Sequence, residues 1–128
     1  MIVVDSSAIV ELLVGTPVKP TLLARLSDDE LVVPTLIDYD DASALRGLCL
    51  GRKLTEDRAT EAVDDFVELT LDRRDMSGLL HQMLCLRGNF TVYGASYVVL
   101  AEALDAPLIT TDAKMREAET FGVTVEAM

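Results

Sequence analysis

Three short apolar runs constrain this chain more than any other feature: Ile2-Val3-Val4, Leu31-Val32-Val33 and Leu108-Ile109-Thr110. Each is continuous rather than alternating, the pattern of a strand buried on both faces. Helical periodicity fills the intervals. Ile9, Val10, Leu13 and Val14 follow Ser6 or Ser7, either of which can cap a helix. Leu22, Leu23 and Leu26 mark a second short helix, and a third is expected from a first turn at or near Pro34 to about Leu50, punctuated by Gly51. Thr55-Glu56-Asp57 opens a fourth, its acids suited to the helix dipole, with Ala59, Ala62, Val63, Phe66 and Leu69 at helical spacing behind them. Helices from Ser77 to Leu86 and from Ala95 to Leu104, then a short helix and a Val123-Thr124-Val125 strand, complete the pattern. Buried strands alternating with helices predict an α/β fold: three layers, with a mainly parallel central sheet flanked by helices. Residues 1–128 suit a single such domain, long enough to bury a core without disulfide or metal staples.

Charge narrows the function classes. The chain has 11 Lys plus Arg against 22 Asp plus Glu, a formal charge of -11, which excludes a protein that coats nucleic acid by bulk charge. A local basic patch is still compatible with an enzyme that meets RNA. Cys49 and Cys85 show no metal-binding spacing and read as small buried hydrophobes in a reducing compartment. The N-terminus lacks a basic segment followed by a long apolar stretch, and no run is apolar enough to span a bilayer. A cytoplasmic location, with no membrane partner, is the expectation.

The carboxyl ends of parallel strands are where such folds gather their binding sites. Asp5 directly follows the first strand, and Asp112 follows the Leu108-Ile109-Thr110 strand. Either alone reads as a helix cap. Asp38, Asp40 and Asp41 cluster at the start of the Pro34 helix, where successive residues point about 100° apart, so one is expected at the sheet edge and the others in solvent. Carboxylates converging there would raise one another's pKa unless a cation compensated. Oxygen-only ligands suit Mg²⁺ or Mn²⁺, and such a site suits cleavage of a phosphodiester.

Four blocks, in order, carry a resemblance over essentially the whole chain. Ile2-Val3-Val4-Asp5-Ser6-Ser7-Ala8, the stretch from Pro34 to Arg46, Asn89 to Leu104, and Ala106 to Met115 resemble the blocks of PIN domains, specifically VapC-type ribonuclease toxins of type II toxin–antitoxin systems. The resemblance implies an Mg²⁺-dependent (or Mn²⁺-dependent) endoribonuclease, commonly a homodimer, inhibited by a VapB-type antitoxin. It maps catalytic and metal-binding roles onto Asp5, Asp40 and Asp112. Two departures stand out. The second acid of the family is usually Glu, so Asp40 is one methylene shorter, with Asp41 as the fallback. At Gly94 the family pattern carries an Asp; glycine can still cap a helix beginning at Ala95 but offers no metal ligand.

Around these acids, Ser7 and Thr111 are the candidate supporting pair, with Ser6 and Thr110 beside them. Arg46, Lys114 and Arg116 are the candidate RNA contacts, since an acidic chain needs cations near its site. His81, the sole histidine, is expected on the side of a helix away from the strand ends. Glu102 follows Gly94 by about two turns and is a weak substitute for the missing Asp. Phe90, Tyr93 and Tyr97 read as residues that pack a core or a dimer face rather than stack bases. The apolar faces around Leu12, Leu13, Leu22 and Leu26 read either as core or as a groove for a basic antitoxin helix. Gly94 keeps open a second reading, a PIN-fold binding module that retains antitoxin binding without catalysis. A phospho-receiver domain is a remote third, since Asp5 is followed by Ser6-Ser7 rather than another acid, the mid-chain acids follow a proline on a helix, and Lys114 is a poor match for the required late lysine.

Overall fold

The computed structural model describes residues 1–128. Five strands form one sheet: β1 (Ile2–Val4), β2 (Leu31–Pro34), β3 (Asp72–Arg74), β4 (Leu108–Thr110) and β5 (Val125–Ala127). Their order is β3-β2-β1-β4-β5 and every neighbouring pair is parallel. The three apolar runs become β1, β2 and β4 at the centre, where Ile2, Val3, Val4, Val32, Val33, Leu108 and Ile109 are completely buried. Continuous apolar character therefore reflects helices on both faces.

The α-helices are α1 (Ser6–Val14), α2 (Pro20–Ser27), α3 (Ile37–Leu50), α4 (Glu56–Glu68), α5 (Leu80–Cys85) and α6 (Val92–Leu104), with 3₁₀ segments at Ser77–Leu79 and Ala113–Phe121. One layer contains α1, α3 and α4 packed on one another; in the other, α6 lies against β1, β2 and β4 with α5 beside it. Residues Ala95 to Ala101 of α6 are all buried, as expected of a helix covered on every side. The buried apolar side chains form one continuous cluster. No helix is long and apolar enough to cross a membrane.

Several expectations shift. Pro34 ends β2, paired with Arg74, rather than opening the next helix, which starts at Ile37 with no side-chain cap. A proline is tolerated at a strand end, where its missing N–H is not required. Strand β3 is charged and partly exposed, so it carries no apolar run to announce it; such charge also protects a sheet edge from further pairing. The final strand starts two residues late because Gly122 takes a left-handed φ of 84° and Val123 N–H turns back to Ala118 O. Helix α6 starts at Val92, not Ala95: the Thr91 hydroxyl caps it by accepting the Gly94 N–H at 3.1 Å. Both cysteines are unpaired and neither is buried as expected: Cys49 is half-buried, and Cys85 is exposed because short α5 turns only Met83 inward.

Candidate active site

The carboxyl ends of β1 and β4 are tied together by a directed set of hydrogen bonds. Asp5 is the N-cap of α1: its Oδ1 accepts the Ser7 N–H at 2.7 Å, while its own N–H donates to Ile109 O across the sheet at 3.0 Å. The Thr110 hydroxyl donates to Asp5 Oδ2 at 2.6 Å and accepts the Asp112 N–H at 3.0 Å. With that proton committed, the Ser7 hydroxyl must donate in its 3.1 Å contact with Thr110 Oγ1, and it accepts the Thr111 N–H at 3.1 Å. Ser7 and Thr111, the candidate supporting pair, are bonded to each other through the Thr111 backbone. The working hydroxyl is that of Thr110, fully buried. A polar residue closing an otherwise apolar strand, two residues before an Asp, was the available signal.

Asp5 is 5 % exposed, and burial pushes its pKa up against the opposing pull of the Thr110 and Ser7 hydrogen bonds; the charge of Asp112 adds to the rise. Asp112 is exposed and caps the Ala113–Phe121 segment, Oδ1 accepting the Lys114 N–H at 3.0 Å. Both acids are therefore caps, and they also face one another electrostatically.

The three acids of α3 take three separate paths. Asp38 turns outward to an ion pair with Arg73 at 2.7 Å. Asp40 is half-buried, and its Oδ2 accepts the Tyr97 hydroxyl at 3.0 Å. Burial raises the Tyr97 pKa, reinforced by the charges of Asp40 and Asp5, so the phenol remains a donor. Tyr97 thereby links Asp40 electrostatically to the β1 end. Asp41 is not in solvent: it is 2 % exposed on the stripe Ile37, Asp41, Leu45, with Oδ1 unpartnered. Its burial and the nearby Asp38 and Asp40 push its pKa up to about 6. Turned into the core, it is a poor stand-in for Asp40.

Gly94 is the third residue of α6 and lines a cavity of about 590 Å³ with Asp112, Lys114 and Met115. A Cβ there would meet Thr91 Oγ1 at 3.5 Å and Met115 Sδ at 3.9 Å, ordinary contacts, so the position admits a side chain on the cavity that Asp112 also lines. Glu102 stands eight residues further along α6, about 12 Å at helical rise, and lines a different cavity with Asp105 and Phe121. It does not substitute.

Among the cations, Arg46 and Lys114 are exposed and make no ion pair, whereas Arg116 is engaged by Glu119 at 3.1 Å. His81 sits exposed on α5, which packs beside α6. Tyr97 and Phe90 pack as expected, Phe90 against Phe121 with ring centroids 6.2 Å apart, but Tyr93 is 67 % exposed. Leu13, Leu22 and Leu26 belong to the core.

No three Asp, Glu, His or Cys side chains lie close enough to cage a metal ion. A hard cation does not require a cage: Mg²⁺ commonly takes one or two carboxylates, with water filling its other positions. Asp5 and Asp112 repel one another, and Asp112 keeps one oxygen without a protein donor. The donor set fits a two-carboxylate cation site, while Asp40 is held apart from it by Tyr97, on which the charges of both Asp40 and Asp5 act.

An all-parallel five-stranded sheet between helical layers, with acids at the carboxyl edges of β1 and β4, defines a PIN-type α/β domain. Ribonuclease VapC1 of Mycobacterium tuberculosis (strain ATCC 25618 / H37Rv) is 36% identical over 91% of this chain and 89% of its own length. Ribonuclease VapC9 of the same strain is 35% identical over 91% and 90%. Among solved structures, VapBC2 from Rickettsia felis, bound to a DNA fragment from its promoter, superposes with a TM-score of 0.66 over 99% of this chain and 98% of that one, at 14% identity. No protein-family model matches. The chain belongs to the VapC ribonuclease family, which removes the phospho-receiver reading.

Proposed function

We propose that the chain is a metal-dependent endoribonuclease toxin, weakened by Gly94, that cleaves RNA phosphodiesters and is restrained by a VapB-type antitoxin. The observation that carries this reading is the Asp5–Thr110–Asp112 arrangement, in which one buried hydroxyl ties the Asp5 carboxylate to the backbone of Asp112, whose charge acts on Asp5. Asp5 and Asp112 would hold Mg²⁺ or Mn²⁺. When bound, the cation makes water nucleophilic at neutral pH and offsets charge building on the phosphodiester. Thr110 and the Ser7 N–H fix the Asp5 carboxylate, so its remaining lone pairs have one orientation. Tyr97 holds Asp40 in the same way. Arg46 and Lys114, free of ion pairs, draw the RNA backbone toward an otherwise repelling surface.

Membership of the VapC family and the charge of -11 support a basic VapB-type partner, and family membership also supports a homodimer in the cytoplasm. A second reading, a fold that binds antitoxin without cleaving, is favoured by Gly94 and by the lack of three converging ligands. Cleavage assays on Asp5→Asn, Asp40→Asn and Asp112→Asn separate the two. Chelator-sensitive cleavage is expected in the native chain and lost in Asp5→Asn and Asp112→Asn, with folding retained. Asp40→Asn is expected to lose less. Cleavage that survives Asp5→Asn rejects this site; antitoxin binding with no cleavage in any metal selects the second reading.

A further inference from the structure

All three tyrosines of the chain surround Asp40. Tyr97 is buried and bonded to its carboxylate; the other two are 81 % (Tyr39) and 67 % (Tyr93) exposed, and line one cavity of about 490 Å³ with Leu36, Asp40 and Ser43. Two large rings exposed on separate helices, α3 and α6, and converging beside a candidate site acid are not accounted for by core packing. On α3, Tyr39, Ser43 and Arg46 follow spacings of four and three and so share one face. Arg46, about 10 Å along the axis from Tyr39, is exposed without an ion pair.

We infer that Tyr39 and Tyr93 form a stacking subsite for one unpaired nucleobase of a single-stranded RNA, with Arg46 taking a phosphate of the same strand. The inference rests on the ribonuclease reading and deepens it by assigning residues that seat the substrate. Nucleobases offer aromatic faces to tyrosine whatever their identity, and an unstacked base is the part of RNA that such rings recognise. Ser43 and Asp40 line the cavity and provide a hydroxyl and a carboxylate acceptor for base edges. A paired duplex buries its base faces and cannot use the subsite. The subsite adjoins Asp40, so a base seated there brings its own sugar–phosphate toward the carboxylates.

The chain has no tryptophan, so tyrosine emission reports on this region without an added probe. The test titrates the native chain with a ten-nucleotide single-stranded RNA and with a duplex of the same sequence, in chelator and in Ca²⁺. Affinities are then compared for Tyr39→Leu/Tyr93→Leu and Tyr39→Phe/Tyr93→Phe. The single strand is expected to quench tyrosine emission and the duplex not. The leucine pair should bind the single strand at least about fivefold more weakly, and the phenylalanine pair within about twofold of native. Equal affinity of both pairs, or quenching absent, overturns the subsite. A change from dimer to monomer in the leucine pair without loss of RNA affinity assigns these rings to contact between copies, and also overturns it. The ribonuclease reading fails separately: binding and quenching without cleavage in any metal leave the stacking subsite standing, whereas undiminished cleavage by the leucine pair removes the subsite and keeps the nuclease.

Discussion

Thr110 has one proton to give, and its surroundings decide where it goes. Fully buried, it donates to Asp5 at 2.6 Å and accepts from Ser7 and the Asp112 N–H, so one hydroxyl sets the distance between two strand ends. Thr110→Val keeps the shape and removes all three bonds, leaving a buried carboxylate short of a donor. We expect a loss of about 1–3 kcal/mol in stability, seen in denaturant melts, with a larger fall in cleavage rate. Ser7→Ala should cost less, since Asp5 keeps its direct Thr110 bond. An undisturbed melt for Thr110→Val would mean that the hydroxyl does not organise the site. The positions of Asp5 and Asp112 were legible in the sequence because both follow apolar runs. The role of Thr110 was not: Thr110 and Thr111 are alike on paper, and only burial separates them.

At the scale of elements, α3 shows how one turn of helix sorts three acids. Asp38 reaches the edge strand, Asp40 meets α6, and Asp41 enters the apolar stripe. The spacing Ile37, Asp41, Leu45 already placed Asp41 on that stripe, but charge argued for solvent, and the helix periodicity won. With its pKa pushed from 3.8 to about 6, folded Asp41 holds a proton that the unfolded chain releases near pH 4. Its contribution to stability is therefore fully present below pH 4 and is lost as pH rises through about 6, a loss of up to about 3 kcal/mol. Asp41→Asn is expected to melt at higher temperature than the native chain at pH 8, with the difference closing by pH 4. A difference that does not vary with pH would place the carboxylate outside the core. Central strands and long helices were readable from period and composition. Strand β3 was not, being held by pairing with β2 rather than by apolar residues of its own. The start of α6 was missed because Thr91 offers a better cap than Gly94.

For the whole molecule, one polarity organises everything. Every strand runs the same way, so the ends of β1, β2 and β4 bring Asp5, the start of α3 and Asp112 to one edge of the sheet. The rest of the surface carries the excess of acid. An RNA approaching a chain of charge -11 depends on the few unpaired cations, Lys114 beside Asp112 and Arg46 further along α3. Binding should therefore be weak and steepen with falling salt, and Arg46→Ala or Lys114→Ala should reduce that salt dependence.

Gly94 sits where this arrangement has room for one more acid. The decisive measurement is cleavage of a panel of single-stranded and structured RNAs by the native chain and by Gly94→Asp, each with Mg²⁺, Mn²⁺ or chelator. Chelator-sensitive cleavage by both, faster in Gly94→Asp by about 100-fold, is the expected result. Cleavage that ignores the chelator, or a folded Gly94→Asp that cuts no RNA faster than the native chain does, would contradict a carboxylate-held cation at this edge as the source of activity.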